Sequence, residues 1–138
     1  MKKTTAEALE ELFQALGDRT RVRLLSLMSD GEICVCFFVE VLDEPQPKIS
    51  RHLAYLRSAG LVSTRREGKW AHYAITPPEH PTVRAAFESV MATLKEDREL
   101  QRDRAALARA CCSPRVPAQL RRAPRPAIAS AENVATER

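Results

Sequence analysis

Residues 46–75 read QPKISRHLAYLRSAGLVSTRREGKWAHYAI, and the fold turns on how this stretch is parsed. Ile49, Leu53 and Leu56 recur at i, i+4 and i+7, the apolar stripe of an amphipathic helix. Pro47 suits the first turn, where its missing N–H costs least, so the helix starts near Gln46. Gly60 is its natural stop. The face opposite the stripe presents Gln46, Lys48, Ser50, Arg51, Tyr55 and Arg57, all hydrogen-bond donors and three of them cationic. Two short runs of strand-forming residues then flank Glu67-Gly68, a hairpin turn signal. Arg65, Arg66 and Lys69 make that hairpin basic where it projects.

Upstream, the apolar run ICVCFFVEVL, residues 33–42, reads as a short helix leading into the turn at Asp43–Pro45. Before it, Asp18 is a candidate N-cap for DRTRVRLLSLMS, a helix burying Val22, Leu25 and Met28, and Asp30-Gly31 marks a turn. Residues 5–16 carry Leu9, Leu12, Phe13 and Leu16 on one helical stripe ended by Gly17. Downstream, Pro77, Pro78 and Pro81 break the chain, and Val83, Phe87, Val90, Met91 and Leu94 then define a fifth helix. No intrachain partner remains to cover its apolar face, which is therefore expected to be a dimer surface. A weaker helical pattern resumes from Glu99 to Ala110 after a bend near Glu96–Arg98. Residues 113–138 are rich in Pro, Ala and Arg without periodicity, and are expected to be disordered.

The expected organisation is a DNA-binding and dimerisation domain over 1–96, a helical extension over 97–112, and the tail. Helix, tight turn, helix, basic hairpin is the order of a winged helix-turn-helix, mainly α with a small β-hairpin wing. In that fold the second helix enters the major groove of double-stranded DNA. Gln46, Pro47, Lys48, Ser50, Arg51, His52, Tyr55 and Arg57 are its candidate contacts. Arg65, Arg66 and Lys69 are the candidate phosphate contacts of the wing.

Charge distribution agrees with a polyanion site. The 138-residue chain has a net charge of +4. Residues 32–45 hold Glu32, Glu40, Asp43 and Glu44 and no base, whereas 46–73 hold Lys48, Arg51, Arg57, Arg65, Arg66 and Lys69 against Glu67. There is no apolar run long enough for a membrane span and no apolar core to the N-terminal MKKTTAEALEELF, so a cytoplasmic protein is expected. Cytosolic thiols stay reduced, which turns the four cysteines toward metal binding or redox sensing rather than a disulfide framework.

The ordered set of motifs resembles the ArsR/SmtB family of metal-sensing repressors. QPKISRHLAYLRSAGLV followed by the REGKWAHY wing is similar to that family's core, and GDRTRVRLLSLM to its second helix, over roughly residues 6–95. The resemblance implies a homodimeric repressor that releases operator DNA on binding its inducer. Glu32-Ile33-Cys34-Val35-Cys36 further resembles the arsenic-responsive members, which carry a third cysteine where this chain has Val39. The implied inducer is arsenite or antimonite, with no organic cofactor.

Such soft ions favour about three thiolates. Cys34 and Cys36 supply two. Cys111 and Cys112 are the remaining candidates, completing a composite site, within or across subunits, or forming a second one. On a regular helix, residues two apart point about 200° apart, so chelation by Cys34 and Cys36 is expected to unwind the third helix and so misplace Gln46–Arg51. Other thiol signals remain open: zinc or cadmium on four thiolates, or oxidants acting by thiol–disulfide exchange. A thiol enzyme is disfavoured, because CxC and CC match the C-x-x-C redox motif poorly and no phosphate-binding Gly loop accompanies them.

Overall fold

The computed structural model describes residues 3–112 and 122–126, the side chain of Cys112 excepted. The order is α1 (Thr5–Leu16), α2 (Arg19–Leu27), β1 (Ile33–Cys34), α3 (Val35–Leu42), α4 (Gln46–Ser58), β2 (Val62–Glu67), β3 (Trp70–Ile75), α5 (Pro81–Glu96) and α6 (Arg98–Cys112). The three strands form one antiparallel sheet in the order β1-β3-β2. This is the mainly helical fold with a small wing that the motif order predicts.

Local chemistry sets the helix ends. Thr4 and Glu7 close a reciprocal capping box on α1, and Asp18 Oδ1 accepts from the Arg21 N–H at 3.1 Å to cap α2. At the end of α4, Leu61 N–H donates to Leu56 C=O and Gly60 N–H to Arg57 C=O, with Gly60 at φ 77°. That paired return needs a left-handed residue, which glycine supplies without a Cβ penalty, one position beyond the cap residue Ala59. The hairpin turn likewise falls one residue later than Glu67-Gly68: Glu67 pairs with Trp70, leaving Gly68 and Lys69 as the loop.

Leu24, Leu25 and Leu27 of α2, Phe37 and Phe38 of α3, and Ile49, Leu53 and Leu56 of α4 are fully buried in one cluster. Burying an apolar side chain of this size stabilises by about 1.5–3 kcal/mol. Three expectations are corrected. ICVCFFVEVL is not one helix, because Ile33 and Cys34 are extended and pair with Tyr73 and His72 of β3. Phe13 is 59% exposed, while Leu12 and Ala15 supply the buried side of α1. The face of α5 is partly covered within the chain: Val83 and Phe87 are buried, and Val90, Met91 and Leu94 are half-buried. The cover comes from α1, α2 and α6, all of which pack on α5, the last because the chain turns back at Asp97.

A bidentate ion pair joins α6 to α2. Arg23 Nε and Nη2 donate to Asp103 at 2.8 and 2.9 Å, and Arg104 Nη1 donates to Ser26 Oγ at 2.7 Å. In the tail, largely outside the described residues, Ala123 is buried and Arg125 donates to the Cys111 carbonyl.

Candidate functional site

Two sets of side chains converge around α3 and α4. The first is cationic and polar. Gln46, Pro47, Arg51, Tyr55 and Arg57 are exposed along α4, and Lys48 and Ser50 are half-buried, Lys48 pairing with Glu44 at 3.0 Å. On the wing, Arg66 and Lys69 are exposed, with the Lys69 ammonium 4.9 Å from the Trp70 ring centre.

Three of the sequence-predicted contacts have other engagements. The His52 ring turns toward the start of α2, with Nδ1 3.4 Å from Arg21 Nη1 and 3.9 Å from Asp18 Oδ1. Tyr55 lies under the Arg21 guanidinium, 4.1 Å from the ring centre, while Arg21 donates to the Ala15 and Gln14 carbonyls at the end of α1. Arg65 is held by carboxylates. Its Nε and Nη2 lie 2.8 and 2.6 Å from the Glu32 oxygens, and its Nη1 lies 3.3 Å from Glu67. Arg65 thereby depresses the Glu32 pKa below the usual carboxylate value, chiefly through that hydrogen bond. Neither Arg21 nor Glu32 was read as a site residue. For Arg21 the sequence holds no signal beyond one more cation on α2. Glu32 stands next to the thiol motif, which is the cue that was available.

The second set is the thiols. Cys34 ends β1 and is the N-cap of α3, with extended φ −72° and ψ 140°. Cys36 sits in the first turn. Because the helix begins after Cys34, the two side chains are not forced apart, and Cys36 Sγ donates to Cys34 Sγ across 3.2 Å. The pair is therefore preassembled. Unwinding of α3 is not needed for both sulfurs to face one ion, and the expected helix distortion loses its basis. The hydrogen bond from Cys36 lowers the Cys34 pKa to about 7, against opposition from burial; the N–H groups of Cys36 and Val35 at the head of α3 add to it. Cys36 moves the other way, its proton retained by the hydrogen bond it gives to Cys34 and by burial. The shared hydrogen bond thus makes Cys34 the more acidic sulfur of the pair and Cys36 the one that keeps its proton.

Cys111 is buried on α6, in the same apolar cluster as Cys34, and donates to the Ala108 carbonyl at 3.5 Å. The Cys112 side chain lies outside the described residues. Among the described residues no three His, Cys, Asp or Glu side chains are grouped to hold one ion. His72 is buried opposite Cys34, with Nδ1 3.8 Å from Glu32 and Nε2 without a hydrogen-bond partner among the described residues. No helix among the described residues is long and apolar enough to cross a membrane.

Fold and site together define a winged helix-turn-helix protein with a thiol pair at the head of the first helix of its helix-turn-helix. Residues 18–64 match the family model described as bacterial regulatory protein, arsR family. The chain is 42% identical over 86 residues to the arsenic resistance transcriptional regulator ArsR1 of Pseudomonas putida, covering 62% of this chain and 67% of that one. The chain belongs to the arsR family of bacterial regulatory proteins. It is also 52% identical over 68 residues to the arsenical resistance operon repressor of Escherichia coli K12, covering 49% of this chain and only 58% of that protein's length. Among solved structures, it resembles the homodimeric winged helix-turn-helix DNA-binding domain Mb0332 from Mycobacterium bovis. That likeness has a TM-score of 0.54 and 27% identity, over 66% of this chain and 82% of that one. By their names these relatives are transcriptional regulators, not enzymes.

Proposed function

We propose that the protein is a cytoplasmic, homodimeric transcriptional repressor that binds operator DNA through α4 and the wing. Trivalent arsenic or antimony releases it, captured by Cys34 and Cys36 with a third thiolate from Cys111 or Cys112. The observation that carries the reading is the 3.2 Å approach of the Cys34 and Cys36 sulfurs at the head of α3. Thiolates are soft donors and select soft ions. Capture replaces the S–H···S contact with two sulfur–ion bonds, each formed as a hydroxyl of the arsenic or antimony hydroxide leaves, the thiol proton departing with it as water. The third thiolate comes from α6, whose Cys111 packs in the same cluster, or from its counterpart in the second subunit.

For DNA, Gln46 and Arg51 supply the side chains suited to base edges near the start of α4, and Arg57, Arg66 and Lys69 suit phosphates. The half-buried Val90, Met91 and Leu94 of α5 and the exposed Phe13 of α1 supply an apolar surface for the second subunit. An ion that binds the DNA-bound and free arrangements of the protein unequally shifts DNA affinity by its coupling free energy, typically about 1–3 kcal/mol.

The test is a titration of reduced protein on a fluorescent copy of its promoter, comparing arsenite, antimonite, zinc and cadmium. Wild type, Cys34→Ser/Cys36→Ser and Cys111→Ser/Cys112→Ser are run side by side. Arsenite should release wild type and leave both variants bound. Normal release of the Cys34→Ser/Cys36→Ser variant refutes the site; normal release of the terminal variant confines it to Cys34 and Cys36. A second reading, oxidant sensing on the same fold, is favoured by the same 3.2 Å sulfur contact, in which the hydrogen bond from Cys36 lowers the Cys34 pKa. Release by peroxide but by no metalloid would establish it.

A further inference from the structure

We infer that Glu32 is the residue that couples the thiol pair to the wing, by holding Arg65 away from DNA phosphate whenever the ion site is in its captured arrangement. The inference rests on the function proposed above and adds the element that responds.

The sheet supplies the connection. Cys34 pairs with His72 across β1–β3, and His72 pairs with Arg65 across β3–β2. Residues directly opposite one another in a ladder share a face. Cys34, His72 and Arg65 therefore stand in one row across the sheet. Glu32, which immediately precedes β1, reaches the same row through its side-chain contacts. It reaches Arg65 through three N–H···O distances of 2.6 to 3.0 Å and lies 3.8 Å from His72 Nδ1. A phosphate needs the same planar N–H fork that Glu32 occupies. With Nη1 turned to Glu67, all three guanidinium nitrogens face carboxylates. Arg65 cannot serve Glu32 and DNA through that fork at once. Arg66, the next residue, alternates to the other face and is exposed.

The link to the ion is short. Cys34 is at once the end of β1 and the N-cap of α3. Only Ile33, fully buried, separates it from Glu32. An ion that fixes Cys34 against Cys36 fixes the two-residue strand, and with it the position from which Glu32 holds Arg65. DNA binding pulls Arg65 the other way. The two ligands thus compete through one ion pair at the sheet face, and linkage makes the competition reciprocal.

The experiment uses the full chain with Glu32→Gln, Arg65→Gln and the double variant. Operator affinity is measured by fluorescence anisotropy over a salt series, with and without arsenite. Arsenite capture without DNA is followed by sulfur–arsenic ultraviolet absorption. E32Q should bind the operator several-fold more tightly and steepen the slope of log K against log salt by about 0.9, one added phosphate contact. It should still capture arsenite, yet the ratio of affinities with and without arsenite should fall by about threefold or more. In the double variant the gain from E32Q should vanish. Wild-type affinity, slope and arsenite ratio in E32Q overturn the inference. So does the same gain in the double variant, and so does loss of arsenite capture by E32Q, which would make Glu32 part of the ion site. A wild type that captures arsenite but keeps its DNA overturns the proposed function itself, and the inference with it.

Discussion

The same fork of arginine on carboxylate occurs at two places, and the two differ in what surrounds them. Arg23 and Asp103 pair where α6 crosses α2, with side chains 24% and 9% exposed. Arg65 and Glu32 pair on the sheet face, with 53% and 34% exposure. Each pair tethers a thiol-bearing element: α6 carries Cys111, and β1 carries Cys34. Burial decides what each tether can do. A charge out of water must keep its partner, so the inner pair locks α6 in place. A pair in contact with water exchanges partners at little cost, so the outer pair suits a contact made in one state and broken in another.

The largest effect should come from breaking the inner pair. Asp103→Ala strands the Arg23 guanidinium between α2 and α6. It should lower stability by about 3 kcal/mol, the low end of the range for a buried pair that loses one partner, because Arg23 keeps some access to water. Urea denaturation at fixed protomer concentration measures it. Replacing both partners, Arg23→Met with Asp103→Leu, should recover most of the loss, because no unpaired charge remains. A double variant as unstable as Asp103→Ala would show that packing of α6, not the charge, is what matters there.

A third carboxylate sharpens the comparison, since backbone N–H groups hold it rather than a guanidinium fork. Burial alone raises the Asp18 pKa, but the N–H of Arg21 and the charges of His52 and Arg21 overcome this and leave it lowered from 3.8. Asp18→Ala removes the cap of α2 and should cost about 1 kcal/mol at pH 7. A lowered folded pKa means the stabilisation is full above the unfolded value and fades as pH falls through the folded one. The gap between wild type and Asp18→Ala should therefore close as pH falls through the acid range below 3.8. Thermal melts across that range test it, and a gap that widens in acid would contradict the assignment.

What was legible in the sequence had local causes. The start of α4 at Gln46 follows from Pro47, its end from Gly60, and its buried stripe from Ile49, Leu53 and Leu56. Asp18 as a cap needs only the residues beside it. What was misread depends on contacts distant in sequence. A two-residue strand has no periodicity to display, and Ile33–Cys34 is a strand only because β3 offers an open edge far along the chain, at Tyr73 and His72. That single assignment changes the chemistry, since it brings Cys34 and Cys36 together where a helix would separate them. The pairing of Arg65 with Glu32 spans 33 residues and turns a supposed wing-tip cation into a held one. The part of the cover on α5 that α6 supplies was missed because α6 reads as polar, although Leu100, Leu107, Ala108 and Cys111 are buried and its Asp103 is paired with Arg23; the part from α1 and α2 depends on contacts distant in sequence.

The smallest stability effect belongs to the outer pair, and its smallness is what makes it informative. Glu32→Gln removes a carboxylate that water already reaches, and its amide still accepts one hydrogen bond from Arg65. Exposed pairs contribute little, so the thermal midpoint at neutral pH should stay within about 2 °C of wild type. Because Arg65 lowers the Glu32 pKa, whatever the pair contributes is present above 4.5 and disappears as pH falls through the lower folded value. Wild type and Glu32→Gln should then melt together in acid. If Glu32→Gln instead melts far below wild type at pH 7, the pair is a structural lock like Arg23 and Asp103. Arg65 could then not be surrendered to DNA at small cost, and the contrast between the two forks would collapse.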